Sequence, residues 1–213
     1  NNVDGKEVIA SGAILVPDSK QPLPLMNYNH GTIFPDNERS APGYLSQYNN
    51  EVLLAGLFSS MGYLLVMPDY IGYGASKGLQ HPYCAYDFIA AGCIDMLRAT
   101  KEFCDSQHIR LNNKNFFTGW SEGGGVALAV VKNIEEKFSK EFTVTAAAPM
   151  AGAYYTSGFA EHVLNSKEDF PFINSYVWVL TTYNWLYNIN KPLNYYFKEP
   201  YASRLEKDPD ATI

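Results

Sequence analysis

Five residues carry the first chemical signal: Gly119-Trp120-Ser121-Glu122-Gly123, within the stretch FFTGWSEGGGVALAVV. A serine with a glycine two places away on each side suits a tight bend between a strand and a helix. Residues without a Cβ relieve the crowding there and leave the hydroxyl projecting. A helix opening at Glu122 would aim its positive dipole end at the same point. A hydroxyl so placed is a nucleophile for acyl transfer through a covalent intermediate on Ser121. Read structurally instead, the glycines would only permit a tight turn.

Acyl transfer also needs donors for the oxyanion. The backbone N–H of Glu122, next after the nucleophile, is one candidate. The stretch NYNHGTIF offers the other, with Thr32 as donor and Gly31 letting the backbone approach. His30 in that stretch is read as a local hydrogen-bonding residue rather than the base. His81 is read as loop packing and His108 as a surface residue.

The elements that must hold these residues alternate. Glu7–Pro17 reads as an extended opening and Pro24–Gly31 as a second short strand. Leu45 to Met61 has helical character and stops at Gly62, a suitable C-terminal cap. Tyr63–Pro68 is a continuous apolar run of the kind found in strands buried on both faces. A glycine-rich loop, DYIGYGASKG, follows it. From Tyr83 to about Gln107 a helix presents Ile89, Cys93, Leu97, Thr100 and Cys104 on one stripe. The strand NFFTGW, a helix from Glu122 to Phe138 and a strand from Phe142 to Met150 complete the run. Alternation of this kind implies crossovers and a largely parallel sheet, the α/β class.

After residue 150 the pattern changes. Of 31 aromatic residues, 14 fall between Ala151 and Ile213, which reads as a helical aromatic-rich region laid over the sheet. The expected division is therefore 1–150 for the core and 151–213 for a helical, aromatic-rich cap region.

ASGAILVP, NYNHGTIFP, MPDYIGYGAS, HPYCAYDFIAAGCIDMLRA and GWSEGGGVALA, in that order, resemble α/β-hydrolases of the secretory-lipase type. GWS-x-GG is also similar to prolyl-oligopeptidase-type peptidases, whose propeller has no room in 213 residues. The resemblance implies a serine esterase or lipase with a Ser-Asp-His triad and a lid after the sixth strand. It further implies export to the cell surface, periplasm or medium. Asp69 matches an Asp-x-x-Gly-x-Gly loop of that fold and is read as a carboxylate that shapes the loop by accepting backbone N–H bonds. An exopeptidase, an acyltransferase or a silent binding protein of the same fold are the alternatives.

The family order along the chain is serine, acid, histidine. After Ser121 there is one histidine, His162, and no aspartate lies between them. His162 paired with Asp169 would be a non-standard arrangement. The expectation is that the triad Asp and His are not in this chain and that a carboxy-terminal segment or second chain completes the fold. The start at Asn1, without Met, suggests an upstream segment as well.

Bulk properties exclude several classes. A net charge of −6 without a basic cluster argues against nucleic acid. No uncharged apolar run reaches the roughly 20 residues of a membrane span. Cys84, Cys93 and Cys104 share one expected helix at spacings of roughly 13–17 Å, too far for a disulfide. No clustered metal-ligand spacing appears and no cofactor is expected; the partner that the resemblance implies is a small or lipid-like ester.

Overall fold

The computed structural model describes residues 5–34, 50–169, 171 and 173–207. It divides into two compact units, Asn1–Tyr154 and Tyr155–Ile213.

The first unit is built on a five-stranded sheet. Its strands are β1 (Gly12–Leu15), β2 (Leu23–Asn29), β3 (Leu64–Pro68), β4 (Leu111–Trp120) and β5 (Ala146–Met150). They lie in the order β1-β3-β2-β4-β5. All neighbours pair in parallel except β1, which runs antiparallel on β3 with Gly12 opposite Pro68. The helices α1 (Asn50–Ser60), α2 (Tyr86–Ser106) and α3 (Glu122–Lys137) form the crossovers. This is the mostly parallel, helix-flanked sheet expected of the α/β class.

Burial explains the element types. Leu64, Leu65, Val66 and Met67 of β3 are almost wholly inaccessible, as a central parallel strand covered on both faces requires. Each such side chain contributes roughly 1.5–3 kcal/mol through removal from water. On α2 the buried stripe is Ile89, Ala90, Cys93, Ile94, Leu97, Thr100 and Cys104, at helical spacing. All three cysteines are buried, and none forms a disulfide among the described residues. Gly62 follows α1 at φ +94°, its N–H on the carbonyl of Ser59. The predicted residues 45–49 at the head of that helix lie outside the described segment.

Strand ends differ from expectation. β1 pairs over four residues only, because it is an edge strand with a single partner. β4 begins four residues earlier than NFFTGW, since Leu111 pairs with Leu23 through the backbone although Asn112, Asn113 and Lys114 are exposed. β5 begins at Ala146, later than Phe142. The preceding residues are tied to Asn115, whose Nδ2 donates to Thr143 O at 3.0 Å and whose carbonyl accepts the Thr145 N–H at 2.9 Å.

The second unit is helical: α4 (Thr156–Asn165), α5 (Ile173–Leu186), α6 (Leu193–Tyr196) and α7 (Tyr201–Lys207). Asn184 organises the turn after α5, donating to Lys191 O and accepting from the Lys191 N–H, both at 2.9 Å.

Candidate active site

Ser121 stands between β4 and α3 at φ 57° and ψ −120°. A serine in the left-handed half of the map costs on the order of 1–3 kcal/mol and persists only when its surroundings dictate it. They do so here on both sides of the residue. The Ser121 N–H donates to Met150 O at 2.9 Å, and its carbonyl accepts from Gly124 at 2.9 Å and Gly125 at 3.3 Å.

The glycines answer to contacts rather than to flexibility. A Cβ on Gly119 would stand 2.6 Å from Asn29 O and closer still to the Gly123 carbonyl. One on Gly123 would overlap the carbonyls of Asn29 and His30, and one on Gly124 the carbonyl of Met150. Gly125 is pressed against the Tyr86 ring. The end of β2 therefore runs directly over the first turn of α3, and Gly119 and Gly123 admit it.

This crossing brings the His30-Gly31-Thr32 loop to Ser121. A Cβ on Gly31 would lie 3.8 Å from Ser121 Cβ and 3.2 Å from Trp120 O. Three tyrosines from the glycine-rich loop and its exit hold that segment. Tyr70 donates to His30 O at 2.8 Å, the Tyr73 hydroxyl donates to Ile33 O, and the Tyr83 hydroxyl shares a 2.8 Å hydrogen bond with Thr32 Oγ1. The backbone N–H groups of Thr32 and Glu122 have no hydrogen-bond partner among the described residues.

His30 is 1% exposed and stacks on Tyr70 with 3.9 Å between ring centroids. Its Nδ1–H donates to Gly31 O at 2.8 Å, and Nε2 is buried with no hydrogen-bond partner among the described residues. Burial disfavours the charged ring and lowers its pKa to about 4, so His30 stays neutral near pH 7. Asp69, 4% exposed, accepts from the Ser11 hydroxyl, which in turn accepts the Ala75 N–H at 2.8 Å. Part of its grip on the loop thus runs through Ser11. Gly74, at φ +55°, lies too close to Ser11 and Asp69 for any side chain. Trp120 is 56% exposed at the end of β4, where it pairs with exposed Met150.

His81 requires a correction. It is not mere loop packing: its Nε2 lies 2.7 Å from Glu122 Oε1, with both side chains almost wholly buried. Its Nδ1–H donates to Ile71 O, also at 2.7 Å. The pair joins residues 41 apart in sequence, so no local periodicity announces it. The one available signal is that a carboxylate next to Ser121 and inside the protein must find a partner.

No side chain among the described residues hydrogen-bonds the Ser121 hydroxyl. His30 and His81 are committed as above. His108 is exposed at the opposite end of β4, and His162 lies exposed on α4 of the second unit. No group of three or more His, Cys, Asp or Glu side chains among the described residues could hold a metal ion. No helix among them is long and apolar enough to cross a membrane.

No family model matches the sequence, and no curated protein matches it. Solved structures do. A Legionella pneumophila protein assigned as a hydrolase superposes with TM-score 0.83 at 26% identity, covering 97% of this chain and 54% of its own. The rice cell wall degrading esterase LipA from Xanthomonas oryzae gives 0.80 at 28%, covering 96% and 55%. Candida antarctica lipase A gives 0.70 over 97% and 47%, and at 13% identity speaks for the fold alone. The chain spans about half the length of these structures. The shared sheet and its crossovers give this chain the α/β-hydrolase fold of these hydrolase and esterase structures.

Proposed function

We propose that this chain carries the nucleophile and oxyanion donors of a serine hydrolase that cleaves carboxylic esters. The observation that supports it most is the backbone of Ser121, held at φ 57° beside Gly31 and at the start of α3. Ser121 Oγ attacks the ester carbonyl carbon while its proton passes to a histidine base. The carbonyl π pair moves to oxygen, and the oxyanion accepts hydrogen bonds from the N–H groups of Thr32 and Glu122. The intermediate collapses, the alkoxide leaves with the proton from the histidine, and water then releases the acid by the reverse sequence. We place the base and its acid partner outside residues 1–213, in keeping with a match to only 55% of the Xanthomonas esterase.

Exposed Trp120 and Met150 favour an apolar group beside the scissile bond. The aromatic-rich residues 151–213 suit a lid that excludes water from such a substrate. Export is the companion proposal, supported by a neighbour named for degrading cell wall.

The test uses the full-length protein with p-nitrophenyl esters of increasing acyl length and with aminoacyl anilides. Ester turnover that falls about 10⁴-fold or more in Ser121→Ala is the expected result. Anilide turnover alone would point to a peptidase. Turnover of neither substrate would point to a silent binding protein.

A further inference from the structure

The mechanism leaves the buried His81–Glu122 pair unused. Ile71 O can only accept, so His81 Nδ1 carries a hydrogen. The 2.7 Å contact between Nε2 and Glu122 Oε1 then needs one more hydrogen between two lone pairs. Whether it resides as imidazolium–carboxylate or imidazole–carboxylic acid, the pair is neutral overall.

That neutrality matters because of where Glu122 sits. Its backbone N–H is one proposed oxyanion donor, and its second carboxylate oxygen, Oε2, is buried with no hydrogen-bond partner among the described residues. An uncompensated carboxylate on that residue would put negative charge in a water-poor site where negative charge must develop. His81 is also the joint between the two donors. It lies against Gly72, which at φ +99° has no room for a Cβ beside it. The rings of Tyr70, Tyr73 and Tyr83, which hold the Thr32 loop, surround it at 5.9, 4.9 and 6.2 Å.

We propose that His81 is a positioning residue for the oxyanion hole: through Glu122 it neutralises the residue whose N–H meets the oxyanion and fixes it to the tyrosine-bearing loop. The inference rests on the ester-hydrolase reading above. No bond is made or broken at His81 during the reaction.

The test is a double-mutant cycle of His81→Gln and Glu122→Gln in the full-length protein. Turnover of p-nitrophenyl butyrate is expressed per serine titrated with a fluorophosphonate. His81→Gln keeps a donor toward Oε1 but strands the carboxylate's charge. It is expected to lower kcat about 10–100-fold with KM within about threefold, somewhat less than loss of a whole donor. Adding Glu122→Gln removes the stranded charge and is expected to recover most of that loss. A double variant at least as slow as His81→Gln alone would overturn the inference, as would an unchanged kcat per titrated serine. Where His81→Gln yields no titratable serine, His81→Asn replaces it in the same cycle. A wild-type protein that is not labelled at all overturns the hydrolase reading and this inference with it, whereas labelled wild type with an additive cycle overturns this inference alone.

Discussion

Ser121 keeps an unfavourable backbone conformation because hydrogen bonds grip the residue from both sides and glycines clear its surroundings. Gly123→Ala would drive a Cβ into the carbonyls of Asn29, at the end of β2, and of His30, just beyond it and bonded to Tyr70, so neither can retreat without breaking local pairing. Denaturant unfolding is expected to show a loss of about 3 kcal/mol or more, or no folded protein. His30 sets a pH dependence. Folded His30 titrates at about 4 and unfolded His30 at 6.5, so below pH 6.5 the unfolded state binds the extra proton. Stability contributed by the neutral ring is thus lost as pH falls from 6.5 to 4, by up to about 3 kcal/mol. Denaturant midpoints of wild type and His30→Asn across that range should converge toward low pH; parallel curves would contradict it. The elbow was legible in the sequence because glycine spacing and strain are local. The partner of Glu122 was not, because a contact across 41 residues exists only after the loop has folded onto the helix.

Among the elements, the apolar run of β3 and the stripe of α2 were readable because burial dictates side-chain type there. The polar head of β4 was not, since backbone pairing with β2 at an exposed end asks nothing of Asn112 or Lys114. The same distinction separates two glycines. Gly92 sits in α2 with nothing within 4 Å of its would-be Cβ. Gly92→Ala is therefore expected to stabilise the protein by about 0.5–1 kcal/mol in thermal unfolding, the opposite sign to Gly123→Ala. The loop carrying Thr32 depends on tyrosines from outside its own element. Removing one hydroxyl with Tyr83→Phe deletes the bond to Thr32 Oγ1. We expect kcat to fall about 3–10-fold, the worth of one hydrogen bond, with the fold retained by circular dichroism.

At the scale of the whole molecule, the sheet is lopsided. Among the described residues no strand pairs with the outer edge of β5, and Ala146, Ala147, Ala148 and Met150 are exposed. A parallel strand is normally covered on both faces, and an open edge of this kind templates association. Residues 1–213 alone are expected to self-associate, seen as light scattering that rises with concentration and falls in Ala147→Lys. A monodisperse solution would contradict this. The class, the parallel sheet and the tight bend at Ser121 could be read from the chain, because each rests on short-range pattern. The buried partner of Glu122 could not.

The most direct test of the central claim is where a fluorophosphonate attaches. Full-length protein is treated with the probe, digested and mapped by mass spectrometry. The account predicts one adduct, on the peptide containing Ser121, absent in Ser121→Ala and suppressed by prior denaturation. An unmodified Ser121 in folded protein, or an adduct on a different serine that survives Ser121→Ala, would contradict it.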